Sequence, residues 1–415
     1  MRPREFASRN CGITLKILFT TTRLPYPLIR GDQLISYHRI KHLSRRHEVY
    51  LLSFIEHRRD IEYLPELSHY CADVQTVTLP PWRSYLTAAM QSYRRLPLQV
   101  LYYESGEYRQ KLQSLLTRHN FDVVHTVLSR GALFTMKLAG PVKVLEMLDA
   151  LSLNMERRSQ VESGLARWFF QVEAGRMRRF EQLLCNEFDN VVVLSSVDRE
   201  HLGAPNVSVI PAGTDLPEFS AAQPGSQNSL IFTGNLSYPP NQDAARFLLH
   251  QIFPELQKAI PGVRLRIVGA NPPADLQQVA KHCRNIEVTG YVDDLNSYFR
   301  ASDVAVCPLR TGGAGMHRKV VEAMACGVPV VASPLVAGIE GRPGEDLLYA
   351  SDISEYVEAI RRLLTDPSLA HKLSQNGRRL VEEKYTWERT TAQMEQLYSR
   401  PLETARAGTG HAHRN

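Results

Sequence analysis

Residues 307–333 read CPLRTGGAGMHRKVVEAMACGVPVVAS, and this stretch decides the architecture. An apolar run ends at Pro308, a turn rich in glycine follows (Gly312, Gly313, Gly315), a helix is predicted to open near His317, and a second apolar run begins after Gly327. Strand, tight turn, helix and strand in so short a span form the unit of a parallel sheet covered by helices on both faces. Backbone amides in a glycine turn at a helix N-terminus point at an anion such as a diphosphate. Lys319 and Glu322 share one face of that helix, so a cation for phosphate and a pure acceptor for ribose or sugar hydroxyls lie side by side. The plainer alternative is an ordinary connecting turn followed by a solvated ion pair.

The same alternation continues outward. Toward the amino end of this half, β-branched runs occur at 230–234, 263–269, 286–290 and 303–308, with helices between them. Earlier still, similar runs at 15–20, 48–54, 74–79, 122–128, 142–147 and 190–194 alternate with helical patterns over 33–46, 107–119 and 153–187. The two series are separated by PAGTDLPEF at 211–219 and AAQPGSQN at 221–228, which is linker composition. The predicted fold class is therefore α/β, with two doubly wound Rossmann-like domains facing a cleft at the carboxyl ends of their strands. The expected boundaries are a disordered extension at 1–14, an amino-terminal domain at 15–211, a linker at 212–229 and a carboxyl-terminal domain at 230–385. A helix at 386–400 is expected to cross back to the first domain, and 401–415 to be a disordered tail.

At 415 residues the chain exceeds one compact core, since domains run to roughly 100–200 residues. Hydrophobic residues at 43% and charged residues at 22% are ordinary for a globular protein, which excludes a disordered chain. No window approaches the roughly 20 uninterrupted apolar residues of a membrane-spanning helix, and the basic start lacks a small-residue cleavage site. Six cysteines (Cys11, Cys71, Cys185, Cys283, Cys307, Cys326) show no paired spacing, so a reducing cytoplasm is the expected compartment. The net charge of +6 is concentrated in the first half, where residues 1–210 carry 28 Lys+Arg against 21 Asp+Glu. Two basic stretches there interleave aromatics: Trp82, Arg83, Tyr85, Tyr93, Arg94 and Arg95, and then 167–170 with Arg176, Arg178, Arg179 and Phe180. Such a surface suits an anionic membrane or single-stranded nucleic acid, unless the rings face a core.

The run VVEAMACGVPVVAS at 320–333 resembles the carboxyl-terminal signature of the family 4 retaining glycosyltransferases of the GT-B fold. The similarity extends to FTGNL (232–236), VRLRIVG (263–269), VTGYVDDL (288–295) and ASDVAVCPL (301–309). TTRLPYPLIRGDQL (21–34) and KHLSRRHEV (41–49) are similar to the family's amino-terminal pattern, and the Pro-Tyr-Pro, Gly-Asp and Ser-Tyr-His elements resemble the branch associated with exopolysaccharide and exosortase clusters. The resemblance implies transfer from a nucleotide diphosphate sugar to a lipid-linked or polysaccharide acceptor, in the cytoplasm or on the inner face of its membrane. It implies no nucleic-acid partner, no cofactor and no metal, because protein dipoles and cations hold the leaving diphosphate. Asp293 and Asp294 read accordingly as a helix cap.

Carried over residue by residue, Lys319, Glu322 and His125 are the expected catalytic positions. His125 corresponds to the family's acceptor-site histidine, with a histidine hydrogen-bonded at a strand end as the alternative. The donor-binding set implied is Gly31, Asp32, Gly234, Asn235, Asn241, Tyr291, Val292, Arg310, Gly312, Gly313, Ala314, Gly315 and Arg318. A helix cap is the other reading of Asp32. Three positions depart from the family pattern. Ala314 stands where a second glutamate is usual, and Asn235 and Asn241 stand where an arginine and a lysine usually hold the diphosphate. Lys319, with Arg318 or Arg310, is expected to replace that charge. These departures also leave a silent GT-B scaffold as an alternative, and a GT-B sugar epimerase as a third reading.

Overall fold

The structure is a computed structural model that describes residues 13–219, 228–311, 317–336 and 338–409. Most of the expected amino-terminal extension, the middle of the linker, Gly312 to Gly315 and the last six residues lie outside the described residues. The chain forms two compact units, one of Met1–Val193, Leu202–Ser208 and Gln393–Asn415, the other of Leu194–His201 and Val209–Ala392.

In the first unit the strands are β1 (Lys16–Thr21), β2 (Glu48–Ile55), β3 (Asp73–Thr78), β4 (Val123–Val127), β5 (Val142–Leu148), β6 (Asn190–Val193) and the short β7 (Val207–Val209). They form one sheet in the order β3-β2-β1-β4-β5-β6-β7, and the pairings from β3 through β6 are parallel. Nearly every residue of β1, β2 and β4 is buried, as expected of strands covered on both faces. The helices Gly31–Leu43 and Gly106–Arg118 lie within three residues of their predicted limits. The long helix expected over 153–187 is instead two, Leu151–Val161 and Gly164–Glu187. Gly164 adopts φ +59°, a left-handed conformation that a glycine accepts without a Cβ clash and that a continuous helix cannot contain.

The second unit repeats the plan with β8 (Ser229–Thr233), β9 (Arg264–Val268), β10 (Ile286–Val288), β11 (Val304–Cys307), β12 (Val330–Ala332) and β13 (Leu348–Tyr349), ordered β10-β9-β8-β11-β12-β13 and parallel. Each order reverses direction beside its first strand, where doubly wound sheets take ligands at the carboxyl ends. The core is continuous from Leu230, Phe232 and Ile267 to Val306, Phe299, Val331 and Tyr356.

Part of the expected linker is packed structure. Thr214 N–H donates to the Tyr385 carbonyl at 2.7 Å, Arg378 donates to the Pro217 carbonyl at 2.8 Å, and a Cβ on Gly213 would fall 2.5 Å from the Trp387 ring. The last helix, Trp387–Thr409, continues past residue 400, where the sequence reading placed the start of the tail. Its first-unit portion carries Tyr398, and Asn190 of that unit donates to the Leu397 carbonyl at 3.1 Å.

The carboxyl ends of β8 and β9 are held close by two glycines. A Cβ built on Gly269 would lie 1.9 Å from the Gly234 carbonyl oxygen, a backbone atom that cannot swing aside. Gly269→Ala is therefore expected to destabilise the protein by about 2–4 kcal/mol, read as a lower urea midpoint. A change within about 0.5 kcal/mol, the range of an innocuous surface substitution, would contradict this packing.

Candidate functional site

Lys319, in the second residue of the helix Arg318–Ala325, reaches back over the end of β8. Its Nζ donates to Asn241 Oδ1 at 2.6 Å and stands 4.6 Å from the centre of the Phe232 ring. A Cβ on Gly234 would come within 2.9 Å of the ammonium, so the missing side chain is what makes room for it. Asn241 is fixed in turn by its Nδ2, which donates to the Asn235 carbonyl at 2.9 Å. The Asn235 side chain accepts from the Ser237 amide at 3.0 Å and from its hydroxyl at 2.8 Å. Burial lowers the Lys319 pKa from its ordinary value, opposed only by the Cys307 and Glu322 groups. Among the described residues no carboxylate lies within ion-pair distance of this ammonium.

The other cations proposed for the site are differently placed. Arg310 is clamped by Asp243 through Nε at 3.1 Å and through Nη2, and its guanidinium lies 4.7 Å from the centre of the Phe247 ring. It lines an open hollow of about 880 Å³ whose other charged residues, Glu255, Asp352 and Glu358, are all acidic. That environment repels a diphosphate, so Arg310 does not replace the missing charge. Arg318 is bonded to Glu322 Oε1 one turn along the helix. Glu322 is thus already charge-paired, with a fifth of its side chain exposed and its other oxygen without a hydrogen bond among the described residues. Tyr291 is 76% exposed, while Val292 packs against the core. Asp294 caps the helix Leu295–Arg300, its side chain accepting from the Ser297 amide at 3.2 Å. Gly312, Gly313, Ala314 and Gly315 lie outside the described residues.

In the first unit, Gly31 opens the helix Gly31–Leu43, and a Cβ there would meet nothing within 4 Å. Asp32 is not the cap residue, which is Arg30. Its carboxylate accepts from Arg23 Nη1 at 2.8 Å and would oppose a phosphate, so a donor role at this turn falls to backbone amides.

The expected acceptor role of His125 does not survive. The residue lies two positions inside β4 and is fully buried, stacked on Phe19 at 4.2 Å. Its Nδ1 is 2.7 Å from the Tyr398 hydroxyl and its Nε2 is 3.1 Å from Glu146 Oε2. Since a carboxylate only accepts, Nε2 carries the proton and Tyr398 donates to Nδ1. Arg39 Nε donates to Glu146 Oε1 at 3.3 Å, and Arg39, Glu146 and Tyr398 are all fully buried. Burial holds the His125 pKa below its ordinary value. Burial also pushes Glu146 upward, but the Arg39 charge and the His125 hydrogen bond overcome it and keep the carboxyl low. Sequence reasoning missed this network, although a glutamate inside the apolar run 142–148 signals a buried partner.

Residues 227–366 match the family Glycosyl transferases group 1. The chain is 25% identical over 316 residues to MMP alpha-(1->4)-mannosyltransferase of Mycolicibacterium hassiacum, covering 69% of this chain and 72% of that one. It is 29% identical to the GDP-mannose-dependent alpha-(1-6)-phosphatidylinositol monomannoside mannosyltransferase of Mycolicibacterium smegmatis, over 39% of this chain and only 46% of that relative. Sucrose-phosphate synthase from Thermosynechococcus elongatus superposes with a TM-score of 0.67 at 20% identity, covering 94% of this chain and all of that one. The fold is GT-B, as the sequence implied, and the group 1 glycosyl transferase match falls within the second unit.

The buried network makes a prediction for acid stability. His125 has a folded pKa below its ordinary 6.5, so its stabilisation is complete above about 6.5 and is lost as the pH falls, when the unfolded chain takes a proton the folded one refuses. Glu146 adds a second loss below its ordinary 4.5. His125→Gln should therefore reduce the decline of unfolding free energy between pH 6.5 and 5 by up to about 1.4 kcal/mol per pH unit. Parallel pH–stability curves for the two proteins would refute the buried neutral imidazole.

Proposed function

We propose that this GT-B glycosyltransferase moves a hexosyl group, with retention of configuration, from a nucleoside diphosphate sugar to a lipid-linked or polysaccharide acceptor. The observation that carries the reading is the enclosed Lys319 ammonium at the carboxyl end of β8, held by the neutral Asn241 and with no carboxylate at ion-pair distance among the described residues. A buried cation without a counter-charge is costly, and a diphosphate supplies that charge. When the bond from the anomeric carbon to the phosphate oxygen breaks, the departing oxygen gains negative charge. That oxygen takes the proton of the acceptor hydroxyl as the new glycosidic bond forms on the same face. Lys319 and the Asn235–Asn241 turn hold the diphosphate, the free oxygen of Glu322 accepts from ribose, and backbone groups at 290–292 read the base. No metal is required in this scheme, because the ammonium and the helix N-terminus supply the positive charge. The printed names of two relatives favour a mannosyl donor, so GDP-mannose is the first donor to test and UDP-glucose the second.

Charge that develops in the transition state makes Lys319 matter more for turnover than for binding. Lys319→Gln is expected to lower kcat roughly a hundredfold to a thousandfold, about 3–4 kcal/mol, while nucleotide affinity measured by calorimetry changes by less than about tenfold. Undiminished transfer by the variant would remove Lys319 from the reaction.

A membrane-borne acceptor also suits the surface of the first unit. On the helix Pro81–Met90 the buried residues are Ser84 and Ala88, whereas Trp82, Tyr85, Leu86 and Met90 are each more than half exposed. The rings therefore do not face a core, and helical spacing places these four on one outward face. Two of the three arginines expected to meet lipid are instead paired, Arg176 with Glu173 at 2.9 Å and Arg178 with Glu156 at 3.5 Å. The apolar face is thus the stronger candidate for contact. Replacing Trp82, Leu86 and Met90 together by serine should lower sedimentation with anionic vesicles by at least about tenfold in partition coefficient, given about 25 cal/mol per Å² of apolar area withdrawn from water. Unchanged partitioning would separate this face from any membrane.

A further inference from the structure

The first unit contains a second charge imbalance, at the ends of its two central strands. Thr22 and Arg23 directly follow β1, and Ser129 and Arg130 follow β4, its neighbour in the sheet. The two ends touch: a Cβ on Gly131 would lie 3.0 Å from Thr22 Cγ2. Just before Ser129, Leu128 holds φ +69°, a backbone conformation that a branched residue adopts only when its surroundings impose it.

Four donors at these ends are buried and have no hydrogen-bond partner: Thr22 Oγ1, Arg23 Nε, Ser129 Oγ and Arg130 Nε. Thr22 is 2% exposed and Ser129 is fully buried. Arg23 is balanced, with Asp32 at 2.8 Å and Glu56 at 3.8 Å. Arg130 is not, since no carboxylate among the described residues lies within ion-pair distance of it. Burial lowers the Arg130 pKa and the nearby charge of Arg23 lowers it further, offset in part by the Tyr103 phenol, which bonds the guanidinium, and by the more distant Asp32. Unpaired buried donors and a guanidinium with no carboxylate at ion-pair distance both favour an incoming anion.

We propose that Arg130, with the hydroxyls of Thr22 and Ser129, binds a phosphate group carried by the acceptor substrate. A phosphate ester fits the donors better than a carboxylate, because three free oxygens arranged tetrahedrally can accept from more directions than two in a plane. Guanidinium forks also match phosphate oxygens in pairs. The word acceptor rests on the transferase reading above, whereas the anion site itself does not.

The test is calorimetric titration of the full chain with inorganic phosphate at low ionic strength, in the wild type and in Arg130→Gln, Arg130→Lys and Lys319→Gln. Arg130→Gln should weaken phosphate binding at least about tenfold. Arg130→Lys, which keeps the charge and guards against a folding defect, should lose part of it, and Lys319→Gln should leave the Arg130-dependent site unchanged. GDP and UDP affinities should be unaltered in Arg130→Gln. Phosphate affinity unchanged in both Arg130 variants would overturn the proposal. So would a parallel loss of nucleotide affinity in Arg130→Gln, which would assign Arg130 to the donor diphosphate. Glycerol 3-phosphate competing with phosphate supports a soluble acceptor, and Arg130-dependent binding to vesicles of phosphatidic acid supports a lipid-borne one. An Arg130-dependent phosphate site in a chain that neither binds nor hydrolyses nucleotide sugars would leave the site standing and sink the transferase reading.

Discussion

Backbone proximity at the ends of β8 and β9 is the constraint on which the second unit's site depends. Gly269 lies so close to the Gly234 carbonyl that neither strand end can carry its usual side chain there. The space left above Gly234 is the space the Lys319 ammonium occupies, against the Phe232 ring and Asn241. A larger residue at 234 would evict the cation before it altered the sheet. The glycines are therefore as much a part of the charge arrangement as the lysine.

A cation at a strand end is useful to a ligand only if the protein has not already neutralised it. Arg310 is closed off by Asp243, Arg318 by Glu322, and Arg23 by Asp32 and Glu56. Arg39 is spent inside the first unit on Glu146. Lys319 and Arg130 differ from all of these, since both are half-buried and neither has a carboxylate at ion-pair distance among the described residues. Burial raises the cost of leaving them unpaired, which is why the two stand out more sharply than the exposed arginines that dominate the net charge.

The parallel architecture was legible because strands buried on both faces must be written as near-continuous β-branched runs, and those runs sit at the expected positions. The break at Gly164 was not legible, because helix-favouring residues continue on both sides and a single left-handed residue leaves no compositional trace. Residues 401–409 were read as part of the tail, from its glycine, histidine and arginine content, although Ala405, Arg406 and Ala407 favour a helix. At the site, Lys319 at the start of its helix could be read locally, whereas its clasp with Asn241 spans 78 positions of sequence. The run at 122–128 matches β4, but His125 stands in the middle of that strand, so a position taken for its open end is its interior. Arg130 gave no local signal, because its importance lies in the carboxylate that is not beside it.

The two uncompensated cations differ in kind, and the difference matches what each is proposed to hold. An ammonium is a compact point charge whose attraction grows with the charge on one oxygen, so it suits a leaving group whose charge rises during the reaction. A guanidinium spreads its charge over a planar fork and rewards a fixed pair of oxygens, so it suits a phosphate ester whose charge stays constant while a hydroxyl elsewhere on the same molecule reacts. Exchanging them would place the rigid fork where charge must develop and the point charge where orientation must be fixed. On this argument Lys319 acts on the barrier and Arg130 on the pose, and the loss of either is felt in a different kinetic constant.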